Sequence, residues 1–338
     1  MVEDIVVFSL TSCKNLTAEI VKYLGVEEGK IDVKHFADGE ILIEPGQSVR
    51  GKHVFIVQST CAPVNENLME VLIAADACKR ASCRELTIVL PYFGYARQDR
   101  KAKPRQPITA RLVADLLTVS GADRVVCVDL HATQIQGFFK IPTDNLTAME
   151  MLGQYFRHKD LKDVVVVSPD HGGATRARKL ADCLHDAPIA IVDKRRQQAN
   201  VAEAMNLVGD VDGKDCIIVD DLVDTGGSLL GCINILKEHG ARDVYCAATH
   251  GVFSNNALEK IAASDIKEFV ITNTIEHAVK KYGILLILRF CPLASCWPRA
   301  LKPSAITSLF LMFIICSSRT VWEKEKVMSA DMAFYVFY

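Results

Sequence analysis

The run CIIVDDLVDTGGSLL at residues 216–230 is the segment richest in chemistry. An apolar stretch ends in Asp220 and Asp221, the loop Asp224-Thr225-Gly226-Gly227-Ser228 follows, and a helical pattern then begins. Two glycines let backbone N–H groups turn toward an anion, and a helix N-terminus adds positive potential at the same place. Thr225 and Ser228 add hydroxyl donors, and the paired carboxylates can accept hydrogen bonds from sugar hydroxyls. An ordinary capped turn would explain the glycines but not the two adjacent aspartates. These residue types predict a site for a sugar phosphate.

A second segment suits a different ligand. PYFGYARQDRKAKPRQPITA, residues 91–110, carries Arg97, Arg100, Lys101, Lys103 and Arg105 against a single acid, Asp99. Guanidinium and ammonium groups at this density suit a polyphosphate. They lie in a loop rather than along an extended face, which argues against nucleic acid. HFADGE at residues 35–40 reads by itself as a turn between strands. DKRRQQAN at residues 193–200 reads as a charged loop after a strand. His131 reads as a phosphate donor or a satisfied structural histidine. GQSVRGKH at residues 46–53 partly mimics a P-loop, but His53 stands where that motif needs Ser or Thr, and a strand pattern follows instead of a helix.

These residues need a scaffold, and the chain shows one. Short runs rich in Val and Ile at 4–8, 53–59, 86–91, 124–129, 163–168, 188–193, 215–221 and 243–249 predict strands. Helical patterns lie between several of them. One opens near Pro107 and stops at Gly121; another runs from about Ser228 to His239 and stops at Gly240. Unbroken apolar strands separated by helices predict parallel sheets covered on both faces. The alternation occurs in residues 1–147 and again in 148–275, which predicts two similar doubly wound α/β domains. In such sheets, ligands bind beyond the carboxyl ends of the strands, where the segments above fall.

Bulk composition agrees. A chain of 338 residues, half of them hydrophobic, can bury two cores, and a net charge of −2 gives no general attraction to nucleic acid or anionic membrane. The 12 cysteines form no C-x-x-C pair and mostly sit in apolar runs, which predicts free thiols in a reducing, cytoplasmic setting. The N-terminal residues lack the pattern of a signal peptide. Residues 303–318 carry no charge but contain Pro303 and several serines, and are short for a spanning helix.

The segment 216–230 resembles the phosphoribosyl diphosphate signature shared by type I phosphoribosyltransferases and the pyrophosphokinases. The basic segment at 91–110 separates the two groups: it resembles the ribose-phosphate pyrophosphokinase family closely. DLHATQIQGFF at 129–139, SPDHGG at 168–173, HFADGE and DKRRQQAN match the same family. The resemblance implies domains of the type I phosphoribosyltransferase kind and transfer of the diphosphoryl group of MgATP to ribose 5-phosphate. It implies that Lys194 and Arg196 act on the transferring phosphate. Phe36, Asp38, Glu40, Arg97 and Gln98 would bind ATP, the hairpin residues often across a subunit contact. Asp220, Asp221, Asp224, Thr225, Gly226, Gly227 and Ser228 would hold ribose 5-phosphate, and His131 and Asp170 would hold magnesium. A homo-oligomer is implied too, with phosphate and ADP as regulators near Ser48, Arg50 and Gln136. An alternative is a non-catalytic partner or inactive variant of such an enzyme.

The resemblance runs to about residue 275. From 276 to 338 the composition turns apolar, with both tryptophans and no clean period, which points to a frame change, a retained intron or an alternative exon. Loss of the usual ending would expose apolar surface and a sheet edge.

Overall fold

The computed structural model describes residues 4–195, 204–277 and 288–291. In the first half the elements are β1 (Ile5–Ser9), α1 (Lys14–Leu24), β2 (Ile31–His35), β3 (Ile41–Pro45), β4 (His53–Val57), α2 (Val64–Arg80), β5 (Glu85–Leu90), α3 (Thr109–Val119), β6 (Arg124–Val128) and β7 (Thr143–Leu146). Strands β1, β4, β5, β6 and β7 form one parallel sheet in the order β1-β4-β5-β6-β7. Strands β2 and β3 make a separate antiparallel hairpin whose tip is FADGE, as the turn reading of that segment predicts.

The second half contains α4 (Met149–Arg157), β8 (Val165–Ser168), α5 (Ala174–Asp182), β9 (Ile189–Arg195), β10 (Ala204–Val208), β11 (Asp215–Val223), α6 (Gly227–Glu238), β12 (Asp243–Gly251), α7 (Ala257–Ala262), β13 (Glu268–Thr272) and β14 (Leu288–Cys291). Its sheet has the order β10-β9-β8-β11-β12-β13-β14 and is parallel apart from β10. All eight predicted strands form, at β1, β4, β5, β6, β8, β9, β11 and β12. Their Val and Ile side chains are buried on both faces, which is why the runs alternate so little. The strand after Lys52 confirms that the P-loop mimic is a decoy.

Three apolar cores hold the layers together. Leu68, Val71, Ile88, Val113 and Leu117 pack one face of the first sheet against α2 and α3. Cys216, Ile218, Ile233, Leu236 and Phe269 do the same for the second sheet, α6 and α7. The third core spans both halves, joining Leu16, Ile20, Val57 and Val126 to Leu152, Phe156, Ile217 and Tyr245. The halves are therefore similar in architecture but share one core. Nine cysteines of the described residues are free thiols, eight of them buried, as the apolar context predicts.

Residues just past 275 belong to this fold. Glu276 Oε1 accepts from the N–H groups of Asn15 at 2.6 Å and Leu16 at 3.0 Å, and Oε2 accepts from Asn15 Nδ2 at 2.9 Å. It supplies the cap that Cys13, at the start of α1, does not. The backbone of β14 pairs in parallel with β13, so the edge of β13 is covered rather than exposed. Four residues are too few to show a strand period; the neighbouring edge supplies the order. Residues 303–318 lie outside the described residues, and no helix among those described is long and apolar enough to cross a membrane. Replacing Glu276 by Ala removes a cap and is expected to cost about 1 kcal/mol. The urea midpoint measures it, and an unchanged midpoint would put residue 276 outside the fold.

Candidate active site

Strand β11 delivers Asp220 and Asp221 to its carboxyl end, where two cations hold them. Arg176, in the first turn of α5, donates from one guanidinium nitrogen to Asp220 Oδ1 at 2.8 Å and from the other to Asp221 Oδ1 at 2.9 Å. His131, from the first sheet, places Nδ1 2.8 Å from Asp221 Oδ2. The two carboxyls titrate apart. Burial, and then the like charge of Asp221, push Asp220 up to about 7. Burial also works to raise Asp221, but the His131 hydrogen bond and the Arg176 charge outweigh it and hold that carboxyl well below the usual range. His131 is raised, first by its hydrogen bond to Asp221 and against the effect of burial. His131 thus has a carboxylate partner at Nδ1.

The loop Asp224–Ser228 leads into α6. Gly226 adopts φ +77°, a left-handed conformation that favours glycine, and starts the helix. Thr225, Gly227 and Ser228 are exposed at that N-terminus with nothing crowding Gly227 closer than 4.0 Å. This is an open cradle of N–H and O–H donors. The carboxylate of Asp224 does not join it: Asp224 Oδ2 accepts from Arg97 at 2.6 Å. Burial works to raise Asp224, but Ser254 and Arg97 outweigh it and leave the group below its ordinary value.

Arg97 stands in the basic loop after β5, half-exposed, with Gln98 beside it hydrogen-bonded to Thr109. The loop is anchored where Gly94 N–H donates to Thr60 Oγ1 at 2.6 Å; a Cβ on Gly94 would lie 2.4 Å from the Thr60 carbonyl oxygen. Phe36, Asp38 and Glu40 are exposed together at the tip of the β2–β3 hairpin, with Asp38 Oδ1 accepting from Glu40 N–H at 3.1 Å. No contact among the described residues joins this tip to the carboxylate cluster. Asp170 is exposed at the end of β8 and accepts from Gly173 N–H at 2.9 Å. Lys194 lies on β9, opposite Met205 of β10. Arg196 lies outside the described residues. Ser48 and Arg50 are exposed before β4, and Gln136 is half-buried after β6.

Three residues escaped the sequence reading. Arg176 follows SPDHGG by one helical turn, where a lone arginine carries no special signal. Asp129 Oδ2 accepts from Thr249 Oγ1 at 2.6 Å, and His250 Nε2 lies 3.1 Å from the Val128 carbonyl oxygen, so both tie the halves together. Only the folded chain brings these pairs into contact.

Comparison with known proteins decides the family. Residues 5–121 match the model described as the N-terminal domain of ribose phosphate pyrophosphokinase. Residues 195–288 match the phosphoribosyl synthetase-associated domain, so the likeness continues past 275. A ribose-phosphate pyrophosphokinase of Bacillus caldolyticus is 53% identical over 305 residues, covering 90% of this chain and 96% of the relative. The chain belongs to the ribose-phosphate pyrophosphokinase family. A pyrophosphokinase of Bacillus subtilis agrees, at 54% identity over 82% of this chain and 88% of the relative. So does the solved structure of phosphoribosylpyrophosphate synthetase from Mycobacterium smegmatis, with a TM-score of 0.80 at 43% identity over 86% of this chain and 96% of that one.

Family membership implies magnesium, and the donor set can be tested for it. Among the described residues no three His, Cys, Asp or Glu side chains form a cage for a metal. Magnesium does not require one: it keeps waters and binds through one or two carboxylates together with substrate phosphates. The exposed carboxylate of Asp170 fits that role.

The carboxylate pair has a measurable signature. Asp220 keeps its proton in the fold at pH values where the unfolded chain has lost it. Its contribution to stability is complete below about pH 4 and is lost as pH rises through about 7. Asp220→Asn is therefore expected to stabilise the ligand-free chain at pH 8, with the gain shrinking toward pH 4. Denaturation midpoints across that range check it, and a gain independent of pH would contradict it.

Proposed function

We propose that this pyrophosphokinase joins MgATP and ribose 5-phosphate to give 5-phosphoribosyl 1-diphosphate and AMP for nucleotide biosynthesis. One observation carries the reading: the loop suited to a sugar phosphate and the loop suited to a polyphosphate come from different sheets and touch at the Arg97–Asp224 pair. The 1-hydroxyl of the sugar attacks the β-phosphorus of ATP, and AMP departs. Such transfer depends on positioning and on neutralising charge, with no covalent enzyme intermediate.

Each segment has a part. Thr225, Gly226, Gly227 and Ser228 hold the 5-phosphate through N–H and O–H donors at the start of α6. Asp220 and Asp221, fixed by Arg176 and His131, accept from ribose hydroxyls. Arg97 and Gln98 contact ATP. Phe36, 52% exposed on the hairpin tip, stacks on adenine, with Asp38 and Glu40 accepting from the nucleoside across a subunit contact. Lys194 and Arg196 place positive charge against the transferring phosphate. Magnesium bound with ATP screens the phosphate charges, and Asp170 and His131 are the residues that would hold it. The chain acts as a homo-oligomer in the cytoplasm, with phosphate and ADP as regulators near Ser48, Arg50 and Gln136. The alternative of a non-catalytic partner gains nothing from the relatives, which carry the enzyme's name.

Lys194→Ala is expected to lower turnover by about 10²–10³ while the melting temperature stays unchanged. AMP release in a steady-state assay measures it, and near-normal turnover would remove Lys194 from the mechanism.

A further inference from the structure

We propose that Asp224 accepts the proton of the attacking 1-hydroxyl, which makes it a catalytic residue rather than a phosphate ligand. The proposal rests on the pyrophosphokinase reading above. It begins with what Asp224 cannot do. A carboxylate repels a phosphate dianion, and the cradle beside it has donors enough in Thr225 to Ser228. Asp224 instead turns toward the ATP loop, where Oδ2 is pinned by Arg97 at 2.6 Å.

Its other oxygen is unusual. Asp224 Oδ1 is buried and, among the described residues, is the one buried side-chain nitrogen or oxygen that no donor meets at full hydrogen-bonding geometry, although Ser254 stands near enough to the carboxylate to help lower its pKa. Buried acceptors without donors are rare, and each asks what completes it. The neighbouring carboxylates are already engaged. Asp220 Oδ1 takes Arg176 and the N–H of Asp221, and Asp221 takes Arg176 and His131. Asp224 thus offers a fixed, ionised acceptor at the one place where the sugar loop meets the ATP loop. A sugar held by one loop and a triphosphate held by the other would bring the reacting hydroxyl and the β-phosphorus to that place.

The step balances. The bond from the sugar oxygen to the β-phosphorus forms as the bond from that phosphorus to the AMP oxygen breaks. AMP leaves with that electron pair on its phosphate. The hydroxyl proton moves to Asp224 Oδ1 and then to solvent. An aspartate plays the same part toward a substrate hydroxyl in protein kinases. Because the transition state is loose, the acceptor mainly aims the oxygen lone pair and collects the proton late.

The test uses the full chain and two substitutions. Asp224→Asn keeps the size of the side chain and an oxygen for Arg97, but cannot accept the proton. It is expected to lower kcat by about 10²–10⁴. Its dissociation constants for ribose 5-phosphate and for a non-hydrolysable ATP analogue should stay within about three-fold of wild type, which also shows that the variant is folded. Asp224→Ala should regain turnover as formate is added, and not with chloride. A kcat within about three-fold of wild type in Asp224→Asn would overturn the proposal. So would a drop explained by lost ribose 5-phosphate affinity, or formate without effect. If the wild-type chain forms no phosphoribosyl diphosphate, the reading of the enzyme itself fails, which is a different result.

Discussion

His250 is wholly buried between the two sheets, with Nδ1 2.8 Å from Thr274 Oγ1 and Nε2 3.1 Å from the Val128 carbonyl oxygen. An imidazolium there would lose its hydration, and burial accordingly pulls the pKa of His250 down. The neutral ring donates to one sheet and accepts from the other. Around it, Thr249 donates to Asp129, and Ser59 Oγ donates to the Thr274 carbonyl oxygen at 2.5 Å. These groups fix the carboxyl ends of β6 and β12 against each other. The carboxylates on β11, the basic loop and the His131 segment gather beside that junction. His131–Asp221 and Arg97–Asp224 are both contacts between the halves, so both depend on how the two sheets are held.

The site carries an electrostatic cost in return. Two adjacent carboxylates at a buried strand end repel each other, and the fold answers with Arg176 and His131 rather than with apolar replacements. Asp224 adds a third acid nearby, balanced by Arg97. On the proposed function, such a site would be arranged for hydroxyl donors and phosphate charge before either arrives. That preorganisation is what catalysis by positioning requires, and the Asp224 carboxylate, pinned by Arg97 through one oxygen, is one visible part of it.

Local patterns in the sequence described much of the scaffold. Val and Ile runs marked the strands because both faces of each sheet are covered. The glycines at 226 and 227 marked the loop, where Gly226 takes a left-handed conformation at the start of α6. The pairing of Arg97 with Asp224 was not legible, since the two stand 127 residues apart and neither has a periodic signal. The same holds for Arg176, one of two arginines on its helix, and for His250, one of whose partners comes from the other sheet. The boundary near 275 is where most of the relatives stop aligning, but a few residues beyond it are tied into the fold in a way the sequence does not show. Composition does change there, yet Glu276 is held by the N-terminus of α1, which no local reading reveals. The edge strand β14 is equally silent in sequence, because its order comes from β13.

The central claim is that the two loops meet to transfer a diphosphoryl group. The direct measurement incubates the purified chain with ribose 5-phosphate, magnesium and ATP labelled at the β-phosphate, and resolves the products by chromatography. AMP and 5-phosphoribosyl 1-diphosphate are expected in equal amounts, with the label in the sugar product. Labelled ADP as the nucleotide product, or label that stays out of the sugar while the chain is folded, would contradict it.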